Sequence, residues 1–241
     1  MRPFLRSPVL YALLVVAASS TTSLQAGPCR LGLALGFDVS RSVDDGAYAI
    51  QIEGIRAALA DPEIRAAILA PSSPVALAVF EWSGARQQHV ISNWMLLTEE
   101  ADIDLVSARV EAHRRSPDNW YTAVGAALEF GHRLLGAVEH CDFRTLDISG
   151  DGRTNDGPDP ARVYDRRDFE GITVNGLAIE GIERDIAAYY AAEVIRGPGA
   201  FVEVAVSAED FPRAFRRKLL RELTAPLFGA LPPLPGTHAT R

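Results

Sequence analysis

The sequence predicts an α/β domain: one doubly wound, mostly parallel central sheet with helices on both faces and one antiparallel edge strand. Three observations predict it. Apolar runs of strand length alternate along the chain with amphipathic segments of helix length, which is the pattern of βαβ units. Loops rich in Asp, Ser and Gly directly follow two of the apolar runs, where open α/β sheets place their binding crevices. No internal repeat and no linker interrupts the alternation.

The first 26 residues stand outside this pattern. Arg2 and Arg6 make a short positive start, residues 9–18 (VLYALLVVAA) are apolar, and Leu24-Gln25-Ala26 offers a cleavage site. That is the layout of a secretory signal peptide over residues 1–26, and its apolar stretch is short for a membrane span. A membrane enters only if the segment stays uncleaved, which the small residues at 17–22 would suit. The expectation is an exported protein whose mature chain starts near Gly27.

From there the elements follow in turn. Residues 31–37 (LGLALGF) form a buried strand. Residues 47–60 form an amphipathic helix, with Ile50, Ile55, Ala58 and Leu59 separated by Gln51, Glu53 and Arg56, and with Asp44 or Asp45 as cap. Residues 75–82 (VALAVFEW) are a second strand. Residues 88–94 are a third, hairpin-linked across 83–86 with Gly84 in the turn. Two helices come next, over 102–115 with Ile103, Val106 and Val110 on one face, and over 122–137 with Val124, Leu128 and Leu135 apolar. Strands over 143–148, 172–179 and 201–206 and helices over 160–168, 185–195 and 209–223 complete the alternation. Beyond Thr224, Pro226, Pro232, Pro233, Pro235 and Gly236 break the periodicity, so residues 225–241 read as a loose tail. Residues 27–224 are one domain.

Composition narrows the function. At 48% hydrophobic and 23% charged the chain has ample material for a core. The net charge of -7 is spread along the chain without a basic stripe, which argues against a nucleic-acid partner. Two cysteines stand just before predicted strands, Cys29 before residues 31–37 and Cys141 before 143–148. If those strands are parallel neighbours, both thiols lie at one end of the sheet, and an oxidising compartment favours pairing them.

The residues that carry chemistry lie in three loops. Asp38, Ser40 and Ser42 follow the first strand at alternate positions and deliver oxygen ligands to one point, as a hard divalent cation requires. Asn119-Trp120-Tyr121-Thr122 opens a helix, and Thr122 offers its hydroxyl. Ser149-Gly150-Asp151-Gly152 follows the strand over 143–148, with Asp151 between glycines that permit a tight turn. Ser40, Ser42 and Asp44 could instead only cap the following helix. Asp156 and Asp159 read as solvated turn residues, Trp82 and Trp94 as packed strand residues. His89, His113, His132 and His140 lack zinc-like spacing.

Asp-x-Ser-x-Ser after an apolar strand, a Thr opening a mid-chain helix and an Asp-Gly after a later strand resemble the von Willebrand factor type A (vWA) domain. In that family these three loops build the metal-ion-dependent adhesion site. The likeness runs from about Cys29 to Leu223. Further stretches, among them Phe80-Glu81-Trp82-Ser83-Gly84, residues 147–152 and residues 174–179, resemble a bacterial branch of exported vWA-like proteins that carry a domain-of-unknown-function label. The resemblance implies metal ligands Asp38, Ser40, Ser42, Thr122 and Asp151, the last directly or through water, and Mg²⁺ (or Mn²⁺ or Ca²⁺) as the ion. It departs at Arg41, where family members often carry a small residue.

The resemblance implies a binding module, not an enzyme, whose protein partner offers an acidic side chain to the metal, and the leader segment implies the periplasm or secretion. Two protein carboxylates leave a dication undersatisfied and favour one more anion. The alternatives are a metal-dependent hydrolase and a scaffold with a vestigial site. Against catalysis, the sequence has no Gly-x-Ser-x-Gly elbow, no phosphate-binding Gly-x-x-x-x-Gly-Lys loop, and Ser40 where phosphoryl chemistry would want a second Asp.

Overall fold

The computed structural model describes residues 29–228 except 71–72, 117–119 and 182. The expected signal segment at 1–26 and residues 229–241 of the expected tail lie outside the described residues. The chain runs β1 (Cys29–Asp38), α1 (Asp45–Ala60), α2 (Pro62–Ile68), β2 (Val75–Trp82), β3 (Gln88–Leu97), α3 (Glu100–Ala112) and α4 (Val124–Leu135). It continues with β4 (Cys141–Gly150), α5 (Pro160–Arg166), β5 (Ile172–Ile179), α6 (Ile186–Tyr189), β6 (Val202–Ala205) and α7 (Phe211–Phe228).

The strands form one sheet in the order β3-β2-β1-β4-β5-β6. Every pairing is parallel except β2 with β3, which closes one edge as an antiparallel hairpin. β1 and β2 are buried at every position, because helices cover both faces; that is why they read as unbroken apolar runs. Leu33, Leu35 and Phe37 pack with Ile55 and Leu59 of α1 and Phe211 and Phe215 of α7 on one face. Phe80, Trp82, Ile148 and Leu128 of α4 form the core of the other, with Tyr190 just beyond α6.

The two cysteines are register partners on β1 and β4 and are joined in a disulfide, with Cα atoms 4.5 Å apart. The first core also holds charge. Lys218 of α7 reaches Asp147 of β4 at 2.7 Å and Glu222 at 2.6 Å, and all three side chains are buried. Asn175 on β5 donates to Glu222 Oε1 at 2.8 Å.

Several boundaries differ from the sequence reading, for local reasons. Asp61 ends α1 and caps α2, accepting from the Glu63 and Ile64 amides at 2.9 and 3.2 Å, with Pro62 in the first turn where its missing N–H costs nothing. α3 starts at Glu100 because Asp102 accepts from the Thr98 and Glu99 amides, and it stops at Ala112, so residues 113–115 are not helical. α6 gives way to a π-helical turn, Tyr190–Val194. α7 runs on to Phe228, so residues 225–228 belong to the helix and not to a tail. Among the described residues no helix is long and apolar enough to cross a membrane.

Candidate functional site

The carboxyl ends of β1 and β4 and the loop before α4 meet at one place. Asp38 closes β1 with its side chain fully buried, and its Oδ1 accepts from the Ser40 amide at 2.7 Å. That turn points the Ser40 and Ser42 hydroxyls the same way, 3.3 Å apart. Thr122 Oγ1 donates to Ser40 Oγ at 3.1 Å, and Ser42 Oγ donates to Asp151 Oδ1 at 2.7 Å. All five residues singled out in the sequence therefore lie together, four of them in one chain of side-chain hydrogen bonds. Asp38 Oδ2 has no hydrogen-bond partner and is buried.

Backbone contacts fix the three loops to one another. The Arg41 amide donates to Trp120 O, tying the first loop to the second. The Asn155 and Asp156 amides donate to Thr122 O, the Thr122 amide to Asn155 Oδ1 and the Val124 amide to Thr154 Oγ1, tying the second loop to the third. The Arg115 guanidinium reaches over the first loop to the carbonyls of Val39, Ser40 and Val43. Beneath it the buried Glu81 accepts from the Ser116 amide and meets His113 Nε2, each at 3.1 Å. The segment after α3 leaves the helix early to make these contacts.

Two of these placements correct the sequence reading. Asp156 is not merely solvated: its Oδ2 accepts from the Ala85 amide at 2.8 Å and ties the β2–β3 turn to the site. Thr122 precedes the helix it was expected to open, since α4 starts at Val124. Asp44 caps α1 through the Ala47 amide, as expected, without taking Ser40 or Ser42 into that role. Asn155, Arg115 and Glu183 went unread in the sequence, because each acts through a partner distant along the chain. Arg41, Trp120, Tyr121 and Glu183 rim an open depression of about 330 Å³ over Ser42, Thr122 and Asp151.

The electrostatics are those of a site short of positive charge. Burial, and after it the charge of Asp151, pushes the Asp38 carboxyl up to about 8 against the hydrogen bonds from Ser40. Burial also raises Asp151, against the Ser42 hydroxyl. The donors are three hydroxyls and two carboxylates, all hard oxygens. A second grouping with ligand-like spacing, Cys29, His140 and Cys141, has both sulfurs committed to the disulfide.

A family model described as a protein of unknown function, DUF1194, matches residues 28–227. No curated protein matches the chain. Among solved structures, a von Willebrand factor type A protein from Catenulispora acidiphila is 12% identical with a TM-score of 0.58, over 81% of this chain and 43% of its own. Proximal thread matrix protein 1 from the mussel byssus, in a form with a zinc-occupied MIDAS motif, is 14% identical with a TM-score of 0.59, over 80% of this chain and 45% of its own. The SpRpn10 VWA domain is 10% identical with a TM-score of 0.50, over 76% of this chain and 93% of its own. The chain thus spans less than half the length of the first two. At such identities the likeness is one of fold.

Proposed function

The chain belongs to the DUF1194 family and has a vWA fold, and from that premise we propose that it is a binding module that holds one divalent cation and takes an acidic side chain of a protein partner. One observation carries this reading: three loops bring Asp38, Ser40, Ser42, Thr122 and Asp151 into a single hydrogen-bonded group of oxygens. The donor set fits Mg²⁺, Mn²⁺ or Ca²⁺, which prefer carboxylate and hydroxyl oxygen. The zinc-occupied MIDAS motif of the mussel protein supports a divalent ion in a protein of this fold. Bound there, the ion would supply a positive charge with coordination room for a partner's carboxylate. The residues of this chain orient the oxygens, and Arg41 at the rim favours an acidic approach. Export through residues 1–26 to the periplasm or beyond accords with the disulfide.

Two expected results test the reading. Retention of a partner from an exported fraction should require Mg²⁺ and be lost in EDTA and in Asp38→Ala; capture indifferent to both contradicts it. The second concerns pH. A proton and a cation compete for Asp38, whose carboxyl is pushed up to about 8. Mg²⁺ affinity should therefore climb as pH rises from about 6 to about 8 and level off above, with proton release on binding. In the cation-free protein the folded-state value lies above the unfolded one. That contribution to stability is present in acid and is lost as pH rises through about 8. Calorimetry at several pH values in two buffers measures both effects, and a flat affinity profile would count against Asp38 as a ligand.

A further inference from the structure

We infer that Tyr190 and Trp82 are positioning residues for Asp38, their buried O–H and N–H groups facing its Oδ2 across a notch left open by Gly150. The inference rests on the reading of Asp38 as a metal ligand and adds what holds that ligand in place. Asp38 Oδ1 is anchored by the Ser40 amide, whereas Oδ2 is buried and without a hydrogen-bond partner. Two donors in the same region share that condition: Tyr190 Oη and Trp82 Nε1, both on fully buried side chains. The point where a Cβ on Gly150 would sit lies 2.6 Å from Tyr190 Oη, 3.0 Å from Asp38 Oδ2 and 3.2 Å from Trp82 Cζ2. One unpaired acceptor, one unpaired phenol and the edge of the Trp82 indole, whose N–H is also buried and unpaired, thus gather around one small gap.

The sequence is built for this meeting. Gly150 on β4 and Gly176 on the neighbouring β5 are the glycines of the two strand motifs. A Cβ on Gly176 would come within 2.6 Å of Tyr190 Cδ1. The two glycines let the Tyr190 ring lie against the sheet. Tyr190 is also the first residue of the π-helical turn, and such single turns are frequent at functional sites. A phenol buried without a partner is costly relative to a satisfied one, so Phe would serve packing better here. The hydroxyl has a use if it holds Oδ2, directly or through one buried water. Outer partners of this kind orient metal-ligating carboxylates.

The test is Mn²⁺ titration of the full folded domain and of Tyr190→Phe, a near-isosteric change. The affinity should fall about ten-fold or more in the folded variant. A packing role would leave the affinity of the folded variant alone. The Trp82 indole N–H signal in the wild type should also shift when Mg²⁺ is added, as Oδ2 changes its charge partner. Unmoved affinity in a folded Tyr190→Phe overturns the inference. If that variant does not fold, a Trp82 signal unmoved by saturating Mg²⁺ overturns it instead. Wild-type protein that binds no Mn²⁺ would remove the metal reading itself, a separate failure.

Discussion

Lys218→Met should cost about 3–5 kcal/mol of folding stability, the loss expected when a buried ion pair is broken from one side. Lys218 Nζ lies between Asp147 Oδ2 and Glu222 Oε1 at 2.7 and 2.6 Å, with all three side chains out of solvent. Burial already raises the Asp147 carboxyl to about 7, with Lys218 pulling against it and Glu222 adding to the rise. Without the ammonium, two carboxylates share one dry space between β4 and α7 and must take up protons. The deficit should therefore shrink as pH falls, since protonation removes the repulsion. Adding Asp147→Asn and Glu222→Gln should recover much of it, because the amide at 222 still gives Asn175 an acceptor. Urea unfolding of the three proteins decides this; an unchanged midpoint in Lys218→Met would show that the cluster contributes nothing net.

The disulfide is the second large term. It links residues separated by 112 positions, and a closed loop of that size limits the unfolded chain enough to be worth about 2–5 kcal/mol. Replacing both Cys29 and Cys141 by Ala should lower the unfolding temperature by roughly 4–20 °C for a domain of this size. The site should keep its cation affinity, since the bridge lies at the opposite end of the sheet from Asp38. An unfolding temperature equal to the wild type would contradict the entropic account.

The sheet and the site were legible in the sequence for one reason. A parallel strand covered on both faces leaves an unbroken apolar run, and its carboxyl end is where the polar loop begins. Asp38, Ser40 and Ser42 sit directly on such an end, and Asp151 follows another, so their neighbourhood could be read. The pairing of Cys29 with Cys141 followed from placing both before adjacent parallel strands. What could not be read acts across the fold. Arg115 clamps the first loop from 72 to 76 positions away, Asn155 orients Thr122, and Asp156 holds Ala85. Their sequence surroundings are those of ordinary loop residues. The roles of Lys218, Glu222 and Tyr190 were hidden for a different reason: the burial of a charge or phenol is visible only once the facing strand is known.

Asp38, the proposed ligand fixed most rigidly by the end of a buried strand, carries the metal assignment. Calorimetric titration of the wild type and Asp38→Ala with Mg²⁺ and Mn²⁺ tests it most directly. The wild type should bind one ion, and Asp38→Ala should bind none while remaining folded. Ser40→Ala and Thr122→Ala, each losing one neutral donor, should fall between. Equal affinity in the wild type and Asp38→Ala, or no binding by either, would contradict the assignment of this site to a cation.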